Sequence, residues 1–133
     1  MLYNIKTGYN VERRDMSEIA ILVSSLPHIA AKGIPFVFTD RHAYLNAAQF
    51  YNSLTALDQI PWSLLEARDF KIDPEDPEKK ERYQCEALVY QSLPIDALLG
   101  IQCFDLEMKE EVDKLAQRNG VQVRTSVNPR WYF

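Results

Sequence analysis

The sequence predicts an α+β domain, and three observations support that prediction. Short apolar runs rich in β-branched or aromatic residues recur along the chain, which is typical of strands. One longer segment, Leu106 to Arg118, has apolar residues at helical spacing and is followed by Asn119-Gly120, which indicates an amphipathic helix. The 133 residues, 47% apolar and 26% charged, are enough for one domain with a modest core.

The strands that we expect are short and share a high content of apolar residues. They run from Glu18 to Val23, from Phe36 to Thr39, from Cys85 to Tyr90, from Ile101 to Phe104 and from Val121 to Arg124, with a further candidate from Trp131 to Phe133. The strand from Phe36 to Thr39 is a candidate for the edge of the sheet, where it could pair with another chain.

Helices are predicted between these strands from their capping residues. Pro27 opens a short helical piece that Gly33 ends. Asp40 is a good N-cap for a helix from about Ala43 to Leu54. The polar stretch from Asp69 to Tyr83 contains two Asp-Pro steps and is predicted to be a turn-rich loop.

Charge and cysteine content exclude some classes of protein. The net charge of −4 argues against a nucleic-acid binder that is basic throughout, although a local basic groove is compatible with it. No apolar run is long enough to span a membrane, and the N-terminus does not resemble a signal peptide. Cys85 and Cys103 are interpreted as buried thiols of a reducing compartment rather than a disulfide. No residue spacing suggests a metal site, so none is predicted.

Glu86 is the first candidate for chemistry, because it interrupts an apolar strand directly after a charged loop. Burying a carboxylate there is costly unless it is paired, hydrogen-bonded or functional. The pattern alone also allows a carboxylate at the strand end that faces solvent or pairs with Arg82.

The segment Thr39-Asp40-Arg41-His42 is the second candidate. His42 falls where a strand gives way to a helix, and side chains at such positions often reach a cleft. The simpler interpretation is a capping Asp40 and an exposed His42 without a role in binding.

The third candidate is the charged loop between Arg68 and Arg82. Its cations and the flanking aromatics Phe70 and Tyr83 suit single-stranded nucleic acid, since phosphates attract cations and bases stack on rings. Six acidic residues lie in the same stretch, so a solvated loop of mixed charge is the alternative.

Taken in order, these features resemble one family, the DarT-type DNA ADP-ribosyltransferases. The resemblance rests on the segments Met1-Leu2-Tyr3-Asn4-Ile5, Phe36-Val37-Phe38-Thr39-Asp40-Arg41-His42-Ala43, Phe50-Tyr51-Asn52, Leu57-Asp58-Gln59-Ile60-Pro61-Trp62, Asp73-Pro74-Glu75-Asp76-Pro77, Gln84-Cys85-Glu86-Ala87-Leu88-Val89 and Trp131-Tyr132-Phe133. It covers essentially the whole chain, and the order and spacing of the segments make it specific.

The resemblance implies a fold of the ADP-ribosyltransferase type, with a mixed or antiparallel sheet and short helices, together with an activity and site residues. Members of the family resemble bacterial toxins that transfer ADP-ribose from NAD to a base in single-stranded DNA, with thymidine as the acceptor in one branch and guanosine in another. Glu86 matches the family's catalytic glutamate. The substrate-binding residues implied by position are His42, Asp40, Gln84, Lys79, Lys80, Arg82 and Tyr83. NAD is then a substrate, no metal is required, and the expected location is the cytoplasm.

The resemblance also implies departures and partners. The family's NAD-binding element and a catalytic arginine lie upstream of the segment that resembles Met1-Leu2-Tyr3, so residues 1–133 are expected to be one ADP-ribosyltransferase domain that lacks its N-terminal strands. Expected partners are single-stranded DNA, the macrodomain antitoxin DarG and a second copy paired through an open sheet edge. The alternative function is an inactive remnant that binds single-stranded DNA or the antitoxin.

Overall fold

A computed structural model describes residues 2–132, so that Met1 and Phe133 lie outside the described part of the chain. The chain divides into two compact units. The first unit comprises Met1–Ser25 and Leu93–Phe133, and the second comprises Leu26–Ser92. The expectation of a single domain over residues 1–133 stays a prediction.

Helices and strands alternate along both units. The α-helices are α1 (Leu2–Thr7), α2 (Leu26–Ala31), α3 (Trp62–Ala67), α4 (Lys79–Arg82) and α5 (Leu106–Arg118). The strands are β1 (Ile21–Val23), β2 (Phe36–Thr39), β3 (Phe50–Tyr51), β4 (Ala87–Val89), β5 (Gly100–Cys103) and β6 (Thr125–Val127). Short 3₁₀ turns occupy Met16–Glu18, Leu54–Gln59, Ile95–Ala97 and Pro129–Trp131.

The first unit contains a three-stranded sheet in the order β1-β5-β6. Strand β5 pairs antiparallel with β1 and parallel with β6. A buried cluster of Ile101, Cys103 and Met108 joins β5 to α5. Gly100 lies so close to the segment before β6 that a Cβ there would stand 2.9 Å from the carbonyl oxygen of Arg124. The pairing of β5 with β6 therefore depends on a residue without a side chain.

Polar contacts complete the first unit. Asp105 caps α5 by accepting a hydrogen bond of 2.9 Å from the amide of Met108. Asp113 on α5 accepts from Lys109 at 2.6 Å and from the hydroxyl of Thr125 at 2.5 Å, which links the helix to β6. These bonds hold the pKa of Asp113 below its ordinary value, Lys109 contributing most.

Tyr132 fills the centre of the first unit. Its ring meets that of Phe104 edge-on at 5.4 Å, and the side chain is 1% exposed. The hydroxyl lies 2.7 Å from the carbonyl oxygens of both Ile19 and Gln102, so it donates to one of them and ties β5 to the segment before β1. Burial raises the pKa of this phenol above its ordinary value.

The second unit contains an antiparallel sheet in the order β3-β2-β4. Phe38 of β2 is buried and stacks on Tyr51 of β3 at 5.4 Å and on Phe36 at 6.4 Å. Thr39, at the end of β2, is fully buried and is the only buried polar or charged residue among those described. The sheet thus ends in a buried hydroxyl.

The expected helix from Ala43 to Leu54 is wrong. Residues 41–49 form turns instead, and Phe50 and Tyr51 pair with β2 as strand β3. Asp40 does not cap a helix: its Oδ1 accepts from the amide of Gln49 at 3.0 Å and closes the turn. Pairing with β2 therefore outweighs the helical spacing of the apolar residues.

The predicted edge strand is also wrong, because β2 is the central strand and β3 and β4 are the edges. Strand β4 begins at Ala87, so Gln84, Cys85 and Glu86 precede it. Glu86 and Gln84 consequently lie before the strand and not within it.

Two predicted elements have the expected bounds. They are helix α5 in the first unit and strand β2, Phe36–Thr39, in the second. Strand β1 is shorter than expected, and the apolar side chain of its Leu22 is exposed. The strand expected from Val121 to Arg124 is wrong, because the parallel pairing with β5 falls on Thr125–Val127. Residues 129–131 form a 3₁₀ turn where a last strand was expected, and Phe133 lies outside the described residues.

None of the helices found in residues 2–132 is both long enough and apolar enough to cross a membrane.

Candidate active site

Glu86 is held by its main chain to the end of strand β2. The amide of Glu86 donates to the hydroxyl of Thr39 at 3.1 Å, and the carbonyl of Glu86 accepts from the amide of Thr39 at 2.9 Å. The Thr39 hydroxyl also lies 3.4 Å from that carbonyl oxygen. One buried side chain thus fixes both main-chain groups of Glu86, which leaves its carboxylate independent of the clamp.

The carboxylate of Glu86 contacts His42. His42 Nδ1 lies 3.1 Å from Glu86 Oε1, and the two side chains are 43% and 35% exposed. The contact is an ion pair when the imidazole is protonated, because a ring nitrogen and a carboxylate oxygen attract at this distance only with a proton between them. The pair is therefore both organised and open to a ligand. The alternative partner for Glu86, Arg82, pairs with Asp76 instead.

His42 is positioned through its own main chain. Its amide donates to the carbonyl of Glu81 at 3.2 Å, and the amide of Tyr44 points at His42 Nδ1 from 3.4 Å. A protonated Nδ1 has no lone pair, so the Tyr44 amide can donate to it only when the proton shared with Glu86 is absent. His42 lies in a turn after β2 rather than between a strand and a helix.

Arg41 connects this turn to helix α4. Its Nη1 lies 3.1 Å from Glu78 Oε2 and 3.9 Å from Glu81 Oε2, and its Nε lies 3.5 Å from Asp40 Oδ2. Burial alone would lower the pKa of Arg41, but the Glu78 hydrogen bond and the charges of Asp40 and Glu78 raise it above its ordinary value. The guanidinium thus contacts three carboxylates. Two of them belong to the segment that also accepts the main-chain hydrogen bond from His42.

Cys85 adds a thiol to the same junction. Its Sγ lies 2.8 Å from the carbonyl oxygen of Arg82 and 3.0 Å from that of Asp40, so the thiol donates to one of them. Burial is the main cause that raises the pKa of this thiol. Both cysteines are free, and Cys103 is buried while Cys85 is partly exposed. The expectation of two thiols without a disulfide is confirmed, although Cys85 is not fully buried.

The cations of the charged loop are largely engaged with acidic neighbours. Lys79 Nζ lies 2.8 Å from Asp69 Oδ2, and the Lys79 side chain is 11% exposed. This contact raises the pKa of Lys79 and lowers that of Asp69. Arg82 pairs with Asp76. Lys80 is exposed and has no carboxylate partner among the described residues, so it is the predicted cation that remains open to a phosphate.

The remaining predicted residues hold the loop together. The hydroxyl of Tyr83 donates to the carbonyl of Leu64 at 2.6 Å and accepts from the amide of Asp69 at 2.9 Å. The ring of Tyr83 packs against Phe70 at 4.8 Å. The Gln84 amide group donates to the carbonyl of Lys80 at 3.2 Å. A contact of these residues with DNA stays a prediction.

No role was predicted for Thr39, Arg41 or Cys85, although Thr39 binds the main chain of Glu86 and the other two link the segments beside it. The available signal for Thr39 was a hydroxyl at the end of an apolar strand, which needs a partner when buried. Arg41 stood beside Asp40, but its further partners Glu78 and Glu81 could not be foreseen, because they lie about forty positions later. Such contacts over long sequence separations are not contained in local patterns.

Residues 2–132 contain no group of three His, Cys, Asp or Glu side chains that could hold a metal ion.

Comparison with known proteins identifies the family. A family model described as ssDNA thymidine ADP-ribosyltransferase, DarT, matches residues 1–133. The chain belongs to this family. It is 50% identical over 137 residues to a DNA ADP-ribosyl transferase of Escherichia coli O127:H6, strain E2348/69 / EPEC. The resemblance inferred from the sequence is thereby confirmed.

Solved structures of relatives agree with the fold. The DarT of Thermus sp. 2.9 in complex with NAD⁺ superposes with a TM-score of 0.88 at 32% identity, over 99% of this chain and 66% of that one. The same protein in complex with ADP-ribosylated ssDNA gives a TM-score of 0.87 at 35% identity, over 99% and 63%. The expected α+β fold of the ADP-ribosyltransferase type is confirmed.

The chain matches only part of its relatives' length. All of it aligns with the Escherichia coli relative, but it covers 62% of that protein. The activity, substrates and partners of the longer relatives are therefore considered for this chain as proposals.

Proposed function

We propose that the chain acts as an NAD-dependent DNA mono-ADP-ribosyltransferase, with Glu86 as its catalytic carboxylate. The transfer goes from NAD to a base of single-stranded DNA, with thymidine as the expected acceptor, and its consequence for the cell is toxic. The observation that carries the proposal is the contact of 3.1 Å between His42 and the partly exposed Glu86, in a chain of the DarT family.

The chemistry of the transfer requires a fixed negative charge. The bond between the ribose C1′ and nicotinamide breaks, nicotinamide leaves with the electron pair, and a base nitrogen attacks C1′. Positive charge develops on the ribose meanwhile, and a carboxylate beside it stabilises that charge. The proton lost by the attacking nitrogen passes to Glu86, which acts as general base.

His42 supports this role as an orienting group. Its Nδ1 lies against one oxygen of Glu86, which leaves the other oxygen available to a ribose hydroxyl or to the base. Because the main chain of Glu86 is held by Thr39, the carboxylate has little freedom left except rotation of its own side chain. Such preorganisation is what a positioned base requires.

The acceptor strand is expected to lie along the exposed side of the charged loop. Lys80 is the cation that we assign to a phosphate, because it is exposed and has no carboxylate partner among the described residues. The ion pairs of Lys79 and Arg82 favour a role in shaping the loop, as do the hydrogen bonds of Tyr83 and Gln84. Asp40 contributes by closing the turn that carries His42.

The decisive experiment measures transfer directly. The full chain is incubated with NAD and a thymidine-containing oligodeoxynucleotide, and mass spectrometry detects the gain of one ADP-ribose. Glu86→Gln is expected to abolish transfer, while ssDNA binding is retained because the amide keeps the shape of the carboxylate. Glu66→Gln is the matched control, since Glu66 is an exposed glutamate on α3.

Two outcomes would contradict the proposal. Transfer by Glu86→Gln at the unaltered rate would remove Glu86 from the chemistry. DNA binding by the unaltered chain without any transfer would favour the alternative, a binding domain without catalysis.

The partners implied by the resemblance are part of the same proposal. A macrodomain antitoxin is expected to remove the ADP-ribose from the modified oligonucleotide, which the mass assay measures directly. Pairing with a second copy would use the edges β3 or β4 of the second unit's sheet, and analytical ultracentrifugation tests it. The cytoplasm is the proposed location, because NAD and DNA occur there together.

A further inference from the structure

Tyr44 is an aromatic side chain that the fold leaves almost entirely in solvent. It is 89% exposed, more than any other aromatic side chain among those described. The next, Tyr90, is 68% exposed. Aromatic rings contribute most when buried, so a ring that is displayed in this way is available to a ligand.

The turn that carries Tyr44 is well anchored. The amide of Leu45 donates to the carbonyl of His42 at 3.1 Å, and the amide of Ala48 donates to the carbonyl of Leu45 at 3.0 Å. The amide of Gln49 is held by Asp40 at 3.0 Å, and the side chain of Ala48 is buried. A ring on a fixed turn loses little further conformational entropy when a ligand stacks on it.

The position of the turn relates Tyr44 to the candidate site. Its amide points at His42 Nδ1 from 3.4 Å, and His42 in turn contacts Glu86. The amide of His42 bonds to the carbonyl of Glu81, the residue that follows the exposed Lys80. The exposed ring and the open cation thus belong to segments whose main chains contact His42 or its neighbours. Rings that accept bases and cations that accept phosphates are the means by which proteins hold single-stranded nucleic acid.

We propose that the Tyr44 ring stacks on a nucleobase of the single-stranded DNA acceptor and holds the strand beside His42 and Glu86. Tyr44 is a positioning residue in this proposal, because it contacts the DNA strand and takes no part in the transfer of ADP-ribose, for which Glu86 is the catalytic residue. The inference rests on the proposed function, since it assigns the acceptor strand to the same site.

Binding measurements test the proposal without depending on turnover. The dissociation constant of a short fluorescein-labelled oligothymidylate is measured by anisotropy for the full chain and its variants. Stacking contributes about 1–3 kcal/mol per base, so Tyr44→Leu is expected to weaken binding by roughly 5- to 150-fold. Tyr44→Phe keeps the ring and is expected to bind as the unaltered chain does. Tyr90→Leu, at another exposed tyrosine of the same unit, is the matched control and leaves the affinity unchanged.

Salt and an abasic strand separate stacking from charge attraction. Tyr44→Leu leaves the slope of log K against log salt unchanged, because no phosphate charge is involved. Lys80→Gln lowers the magnitude of that slope by about 0.7, the value for one phosphate contact on a single strand. An abasic oligonucleotide, which has no rings to stack, binds equally to the unaltered chain and to Tyr44→Leu.

The contrary results are distinguishable from failure of the proposed function. Equal affinity of the unaltered chain and Tyr44→Leu for oligothymidylate overturns the inference and leaves the proposed function intact. No binding of oligothymidylate by the unaltered chain overturns both. NAD carries rings as well: if Tyr44→Leu weakens NAD binding in isothermal titration and spares oligothymidylate, the ring serves NAD and the proposal is wrong.

Discussion

The two units hold their central strands by different means. In the first, β5 is fixed by apolar packing on α5 and by the hydroxyl of Tyr132, and these contacts lie around the core. In the second, the hydroxyl of Thr39 fixes the end of β2, and its partner is the candidate catalytic residue. A buried hydroxyl therefore serves stability alone in one unit, and stability together with the site in the other. Matched substitutions can separate these two cases.

The largest effect is expected from crowding the first unit. The Cβ of Gly100→Ala would stand 2.9 Å from the carbonyl oxygen of Arg124, which also accepts from the amide of Ile101 at 2.8 Å. Because a main-chain atom cannot withdraw without stretching that bond, we expect a loss of about 3 kcal/mol in the free energy of unfolding. Urea titration measures it.

Gly33→Ala in the second unit provides the comparison for this substitution. Its Cβ meets no atom within 4 Å, but its φ of +69° is unfavourable for alanine. We expect that strain alone to lower the free energy of unfolding by about 1 kcal/mol. A loss for Gly100→Ala no greater than this would contradict the close approach of β5 and β6.

Thr39→Val is expected to have the next largest effect. The amide of Glu86 loses its acceptor, which is expected to lower the free energy of unfolding by about 2 kcal/mol. The main chain of Glu86 is also no longer held by the hydroxyl of residue 39. Transfer is expected to fall by about tenfold or more, since small displacements of a catalytic group are costly. Thr39→Ser keeps the hydroxyl and should restore most of the transfer.

Hydrogen exchange of the Glu86 amide distinguishes this effect from general loosening. It should accelerate in Thr39→Val and stay slow in Thr39→Ser. If Thr39→Val retains both full transfer and a slowly exchanging amide, the clamp has no functional part.

Tyr132→Phe is the counterpart in the first unit. It removes the hydroxyl between the carbonyl oxygens of Ile19 and Gln102, and we expect a loss of about 1 kcal/mol in the free energy of unfolding. Affinity for oligothymidylate and the transfer rate of the folded protein should not change. A selective loss of either would show that the first unit contributes to the site.

The smallest effect is expected on the stability of the protein at acidic pH, and it involves one aspartate of each unit. Hydrogen bonds to lysines hold the pKa of Asp113 and of Asp69 below the ordinary value of 3.8. Their stabilisation is present above that value and is lost as the pH falls through the lowered pKa of the folded state. Asp113→Asn and Asp69→Asn should each flatten the dependence of stability on pH in this range.

Glu110→Gln is the control for the acid titration. Glu110 contacts Lys114 at 4.0 Å on the exposed face of α5. Exposed pairs of this kind contribute little, so the curve should be unaltered. Asparagine variants with the unaltered pH dependence would show that the lysine contacts do not persist in solution.

Local patterns predicted the elements that local interactions determine. The bounds of α5 agree with the sequence because its apolar stripe, its cap and the glycine that follows all lie within one segment. Strand β2 agrees because its four residues form a continuous apolar or β-branched run. The turn at residues 41–49 was missed because a distant partner, β2, recruits Phe50 and Tyr51 into a strand.

The candidate site shows the same difference between features set by local sequence and features set by distant contacts. The sequence singled out His42 and Glu86, but their contact could not be inferred, since it depends on how β2 and β4 pair. Lys79 and Arg82 were expected to be available to DNA, yet both have carboxylate partners six or more positions away. The folded structure determines which cation of the charged loop has no carboxylate partner, and the composition of the loop does not reveal it.

The clamp on Glu86 has a consequence for redesign. Thr39 binds the main chain of residue 86 and makes no hydrogen bond to its carboxylate, so the frame does not depend on which side chain that residue carries. Aspartate, glutamine or cysteine at position 86 would be displayed from the same location with a different reach, charge or nucleophilicity. The fold therefore determines where the reactive group is placed, and residue 86 determines which group it is.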